Sequence, residues 1–111
     1  MKKRLEAEVF GRVQGVGFRV FVTQKFRDKL TGRAFNTKQG NLKVVAEGSE
    51  EDLKDLLNVL NKGPLFAKIE KVDYSFFVAK DEFDSFEVVR DGNIFHDQKN
   101  AFSNLSKKIL K

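Results

Sequence analysis

The sequence predicts an α+β fold: a two-layer sandwich in which a mostly antiparallel sheet carries two helices on one face. Two observations carry that prediction. Apolar residues alternate with polar ones from Leu5 to Val13 and again from Leu42 to Ala46, the period of half-buried strands. From Phe18 to Leu30 and from Leu53 to Leu60 they recur three and four positions apart, the period of helices with one buried face. At 111 residues the chain can build one modest core and is too short for two.

Each element has its own local grounds. Leu5, Ala7, Val9, Gly11 and Val13 alternate with Glu6, Glu8 and Arg12 in the first strand. After a glycine-rich turn, Phe18, Phe21, Val22, Phe26 and Leu30 form a helical stripe, expected to end near Lys29, before Thr31-Gly32. A second strand is expected over 33–37. Lys38-Gln39-Gly40-Asn41 then reads as a hairpin turn with Gly40 at positive φ. Leu42, Val44 and Ala46 alternate in a third strand that stops at Gly48.

Ser49 is a natural N-cap for the second helix, and Glu50, Glu51 and Asp52 set negative charge on the positive end of its dipole. Ser49 and Asp52 also have capping-box spacing. Leu53, Leu56, Leu57 and Leu60 make a core stripe, and Lys62-Gly63-Pro64 ends the helix. Residues 67–78 form a long strand whose alternation changes phase between Ile69 and Val72, which predicts a bulge near Glu70-Lys71. Phe83, Phe86 and Val88 mark a short final strand reaching toward Arg90. With right-handed crossovers, this order gives the ferredoxin-like βαββαβ arrangement.

The domain is expected to occupy residues 1–90. Beyond it, Asp91-Gly92-Asn93 is a turn signal. Ala101, Phe102, Leu105, Ile109 and Leu110 have roughly helical spacing, so 91–111 is expected to be an extension with an amphipathic helix packed on the open sheet face.

The absence of cysteine excludes disulfides and thiolate chemistry. No apolar run approaches the ~20 residues of a membrane span, and no signal-like segment opens the chain, so a cytoplasmic location is expected. The net charge of +5 fits nucleic acid, an anionic small substrate or neither. Most basic residues are interleaved with acids and read as solvated faces.

The stretch with the most chemical content is Phe10-Gly11-Arg12-Val13-Gln14-Gly15-Val16-Gly17-Phe18-Arg19, where the first strand gives way to the first helix. A glycine-rich turn can aim successive N–H groups into one concavity, and the following helix adds its own free N–H groups. Such a nest suits a phosphoryl group, and Arg19 adds a fork of donors. The known glycine-rich nucleotide motifs do not fit: there is neither a following Gly-Lys-Ser/Thr nor a third glycine for Gly-x-Gly-x-x-Gly. On residue types alone, a plain glycine-rich turn with Arg19 on a solvated helix start stays open beside the anion pocket.

Gly11-Arg12-Val13-Gln14-Gly15-Val16-Gly17-Phe18-Arg19 resembles the signature of the acylphosphatase family. The resemblance continues through Leu30-Thr31-Gly32, Asn36, Gly40, Val44-Val45-Ala46-Glu47-Gly48 and Gly63-Pro64. It ends with Ala67-Lys68-Ile69-Glu70-Lys71-Val72 and Phe83-Asp84-Ser85-Phe86-Glu87-Val88. It implies hydrolysis of acyl phosphates to carboxylate and inorganic phosphate, without metal, cofactor or covalent intermediate. By the same resemblance Arg19 is the substrate-binding arginine and Asn36 positions the attacking water. Gln14, Gly15, Val16, Gly17 and Phe18 supply the backbone that holds the phosphoryl oxygens. A small-molecule acyl phosphate, an anion in the loop, a monomer and no membrane or nucleic-acid partner are the matching expectations.

Those roles suit the residue types. Charge in a phosphoryl-transfer transition state is spread over the equatorial oxygens, so fixed donors can stabilise it. Asn36 can accept from and donate to a water without repelling a dianion. Arg19 at a helix N-terminus opposes the dipole, a placement that a bound anion explains better than helix stability.

The sequence departs from the family pattern between Arg19 and Asn36, which is one residue shorter around Lys29-Leu30. Arg33 also stands where an aromatic residue is frequent, and Phe35 where a polar one is common. The shortening is expected to bear on whether Asn36 keeps register with Arg19. His96 lies beyond the matched region and receives no catalytic role.

Two competing readings remain. One is a catalytically weak anion-binding regulatory or interaction domain. The other is an RNA-binding module of similar architecture, weakened because Leu42-Lys43-Val44-Val45-Ala46 lacks the aromatic pair needed to stack bases.

Overall fold

The computed structural model describes residues 2–90. The expected helix within 91–111 and His96 lie outside the described residues. The elements are β1 (Lys2–Arg12), α1 (Phe18–Phe26), β2 (Thr31–Asn36), β3 (Leu42–Ser49), α2 (Glu50–Lys62), β4 (Lys68–Val78) and β5 (Phe86–Val89). They build one sheet in the order β4-β1-β3-β2-β5, antiparallel throughout except for β5, which lies parallel to β2. Among the described residues, no helix is long and apolar enough to cross a membrane.

The alternation read from the sequence is what sorts the two faces. Leu5, Ala7 and Val9 of β1 and Leu42, Val44 and Ala46 of β3 are buried in one cluster with Phe18, Val22 and Phe26 of α1 and Leu53, Leu56 and Leu60 of α2. This is the expected helix-covered layer. The Ser49 side chain accepts from the Asp52 N–H at 3.1 Å, and the Gly63 N–H closes the far end of α2 on the Val59 carbonyl. The bulge also falls where the phase changes: Phe10 pairs with Lys71 but Gly11 pairs with Ile69, leaving Glu70 as the extra residue.

Several boundaries differ from expectation, among them β3, which runs on to Ser49 rather than stopping at Gly48, and β2, which ends at Asn36 rather than at 37. α1 ends at Phe26 rather than near Lys29, because the N–H groups of Lys29 and Leu30 both turn back onto the Phe26 carbonyl. β2 accordingly starts two residues early, at Thr31, opposite Glu47. Phe83 stands outside the last strand. It packs with Phe35, Val45 and Val89 in a second cluster on the other face of the sheet, its ring 5.5 Å from the Arg4 guanidinium and 5.0 Å from that of Arg33.

That second face holds a buried ionic knot. Arg4 is fully buried, and its guanidinium donates to Glu6 at 2.8 Å, to Glu47 at 3.0 Å and to Glu82. Glu47 also accepts the backbone N–H groups of Lys80 and Asp81, both at 2.8 Å, so it fastens the β4–β5 connection to the sheet. Burial alone would push the Arg4 guanidinium down. The hydrogen bonds to Glu6 and Glu47, with the Glu82 charge, outweigh it and hold the group above its ordinary value.

The register gathers the C-terminal ends of β1 and β2 at one end of the sheet. Val9 lies opposite Leu42, Leu42 opposite Asn36, Arg12 opposite Lys68, and Phe35 beside Val89. The glycine-rich loop and Asn36 therefore emerge side by side from strands far apart in sequence.

Candidate active site

The loop between β1 and α1 runs from Val13 to Gly17. Val13 is buried and anchors its start. Gly15 has φ 74°, and Gly17 has φ 75° and ψ 19°, both left-handed, while Val16 and Phe18 keep negative φ. Alternation of this kind turns successive N–H groups toward one side, which is the geometry of a nest. A Cβ on Gly15 or Gly17 would meet nothing within 4 Å, so glycine serves the backbone conformation there rather than a tight space. α1 then opens with no side-chain cap and no acidic residue in its first turn. Its first N–H groups carry uncompensated partial positive charge at the mouth of the same concavity.

A cavity of about 80 Å³ is lined by Val13, Gly15, Gly17, Phe18, Arg19, Val20 and Asn36. A space of that size admits a small group such as a tetrahedral oxyanion. Arg19 is half-buried, and its Nη1 donates to the Val89 carbonyl of β5 at 3.1 Å. The neutral carbonyl fixes one arm of the guanidinium while leaving its charge uncancelled. Among the described residues Arg19 has no carboxylate partner.

Asn36 closes the other side from the last position of β2. Its Oδ1 is buried without a hydrogen-bond partner. A buried polar atom left unpaired costs about 1–3 kcal/mol, and folded proteins keep few of them. Asn36 lines a cavity whose other walls combine Arg19 and the Gly15 and Gly17 backbone with the apolar Val13, Phe18 and Val20.

The predicted residues thus divide. Gly15, Gly17, Phe18, Arg19 and Asn36 line one cavity, joined by Val13 and Val20, which the sequence had not singled out. Gln14 and Val16 belong to the loop but do not line the cavity. The Gln14 side chain turns away, and its Nε2 donates to the carbonyls of Thr37 and Asn41 at 2.8 and 2.9 Å. It thereby ties the loop to the hairpin that follows Asn36.

That hairpin is closed by Thr37 and Asn41. The Thr37 N–H donates to the Asn41 carbonyl at 2.9 Å, and the Asn41 N–H to Thr37 Oγ1 at 3.0 Å. Asn41 Nδ2 reaches across to Glu8 of β1 at 3.0 Å. Thr37, Asn41 and Glu8 were missed as supports of the site. The short Thr37–Asn41 separation around Gly40, at φ 92°, was the signal within reach. Arg19 and Asn36 line the same cavity despite the shortened segment between them.

A model of the acylphosphatase family matches residues 5–88. The chain belongs to the acylphosphatase family. It is 39% identical over 98 residues to an acylphosphatase of Helicobacter hepaticus, a match covering 81% of this chain and 100% of that one. With an acylphosphatase of Deinococcus radiodurans the identity is 46% over 74 residues, covering 66% of this chain and 85% of the relative. The crystal structure of acylphosphatase from Bacillus subtilis superposes with a TM-score of 0.75 at 31% identity, covering 79% of this chain and 99% of that one. The ferredoxin-like α+β sandwich is therefore the fold of this acylphosphatase-family chain, with β5 added beside β2.

Proposed function

We propose that this protein hydrolyses acyl phosphates to a carboxylate and inorganic phosphate, with the phosphoryl group in the Gln14–Arg19 loop and a water held by Asn36. The observation that carries the reading is the convergence of Gly15, Gly17, Arg19 and Asn36 on one small cavity. Backbone N–H groups of the loop take the phosphoryl oxygens, and the guanidinium neutralises charge as it spreads over them. Asn36 Oδ1 accepts from the water and orients its lone pair toward phosphorus. The water oxygen forms a bond to phosphorus as the bond from phosphorus to the acyl oxygen breaks. The electron pair leaves on the carboxylate, and the water proton passes to a phosphoryl oxygen and then to solvent. A carboxylate is a weak base and departs without a general acid, which suits a cavity whose side chains include no titratable acid.

Purified full-length protein should release phosphate from acetyl phosphate in the presence of a chelator. Arg19→Ala should lower kcat/KM by about 10³-fold. Asn36→Ala should lower kcat by about 10²-fold with phosphate affinity retained. Unchanged turnover in either variant, with the fold intact, would remove the mechanism.

A further inference from the structure

The apolar turn between α2 and β4 is out of keeping with its exposure. The Ala67 N–H donates to the Pro64 carbonyl at 3.0 Å, so Leu65 and Phe66 occupy the two central positions of a tight turn. They are 87% and 74% exposed. Such positions ordinarily carry glycine, proline, asparagine, aspartate or serine, each for a conformational reason. A leucine and a phenylalanine gain nothing there from the turn itself, and neither is buried by the core.

The turn has a defined place relative to the cavity. A Cβ on Gly63 would stand 3.4 Å from Phe18 Cε2 and 3.2 Å from Ile69 Cδ1, so the start of the turn is seated against the residue that opens α1 and lines the cavity. Its far end runs into Lys68, which pairs with Arg12 at the end of β1. In the order β4-β1-β3-β2-β5, the loop that follows β1 lies between Asn36 on β2 and this turn at the head of β4. Neighbouring strands are about 4.8 Å apart, so β2 and β4 stand about 14 Å apart with the cavity between them.

In-line displacement makes use of that layout. Attacking and leaving oxygens stand on opposite sides of phosphorus. A water held at Asn36 sends the acyl oxygen away from β2, toward the β4 side. We propose that Leu65 and Phe66 form the acyl-binding wall of the site, selecting acyl phosphates whose acyl group is bulky and apolar. This inference rests on the acyl phosphate reading above and adds to it the chemistry of the leaving group.

The test compares acetyl phosphate with benzoyl phosphate on the full chain, in wild type and in the Leu65→Ser/Phe66→Ser double variant. Both positions are exposed, so the variant should fold as the parent does. The ratio of kcat/KM for benzoyl over acetyl phosphate should fall about tenfold in the variant, through a higher KM for benzoyl phosphate, while acetyl phosphate turnover stays unchanged. Val78→Ser removes an 84% exposed apolar side chain at the opposite end of β4, where Val78 pairs with Lys3, and should leave the ratio alone. An unchanged ratio in the double variant overturns the inference, as does an equal loss with both substrates, which would make the turn only a support for Phe18. Failure of the wild type to hydrolyse acetyl phosphate would instead strike the functional reading on which it rests.

Discussion

Gln14→Ala separates the two parts of the site, because the side chain of Gln14 serves the hairpin while its backbone serves the loop. The substitution deletes the hydrogen bonds to Thr37 and Asn41. Neither carbonyl is orphaned by this: Thr37 still accepts from the Gly40 N–H at 3.2 Å, and Asn41 from the Thr37 N–H at 2.9 Å. The cost is therefore the net worth of ordinary hydrogen bonds, about 1 kcal/mol each and about 2 kcal/mol together, rather than a full desolvation penalty. Urea denaturation followed by circular dichroism reads that loss directly. Kinetics with acetyl phosphate should show a lower kcat, since the hairpin is what holds Asn36 against the loop. Inhibition by inorganic phosphate should stay near the parent value, because the nest is built from backbone. Gln14→Glu should be worse than Gln14→Ala, since a carboxylate has no N–H to offer and would face two carbonyl oxygens. A destabilisation below about 0.5 kcal/mol with unchanged kcat would refute the clamp. So would a loss of phosphate inhibition equal to the loss of kcat.

Other perturbations probe the surroundings. Arg4→Met should cost about 3–5 kcal/mol in denaturant unfolding, because it strands the buried Glu6 and Glu47 carboxylates without their cation. Gly17→Ala meets no steric obstacle but must hold φ 75°, and should cost about 1–2 kcal/mol and weaken phosphate inhibition as the nest relaxes. Glu50 is held below its ordinary carboxyl value by hydrogen bonds from Lys3 and Lys54. Its contribution to stability is thus present above the unfolded value of about 4.5 and is lost as pH falls through the lower folded value. Glu50→Gln should flatten the thermal unfolding midpoint against pH in that acid range, and an unaltered slope would contradict the assignment.

What the sequence disclosed followed from how local each feature is. The Ser49 cap, the leucine stripe of α2 and the bulge at Glu70 depend on neighbours a few residues away, and all three stand where the pattern put them. The end of α1 did not, because it is decided by the turn back onto Phe26, which no periodicity in Phe18–Leu30 records. Phe83 misled for a related reason: its spacing from Phe86 suits a strand, but its ring is claimed by Arg4 and Arg33 on the opposite face. At the strand-to-helix junction, glycine and arginine gave the local signal for the proposed anion pocket, and Gly15, Gly17 and Arg19 do line one cavity. The clamp from Gln14 to Thr37 and Asn41 joins segments 23 and 27 residues apart and leaves no local trace. Long-range hydrogen bonds to backbone carbonyls carry no residue-type signature at the accepting end.

Several departures from ordinary folding preference meet at one place, while others, such as Asp81 at φ 55°, stand elsewhere. Among the described residues, an unpaired buried acceptor at Asn36, left-handed residues at Gly15 and Gly17 over open space, and an arginine without a carboxylate partner in the first turn of a helix with no side-chain cap all belong to residues that line the same cavity. Away from the cavity Arg4 is paired with Glu6 and Glu47, although its Nη2 is buried without a partner among the described residues, and α2 is capped at both ends. Each departure weakens the free protein slightly, and a domain of this size has only about 5–15 kcal/mol of stability in all. Under the function proposed above, one oxyanion would satisfy the nest and the helix end and match the arginine. That shared wall is what supports the proposal of an anion site there.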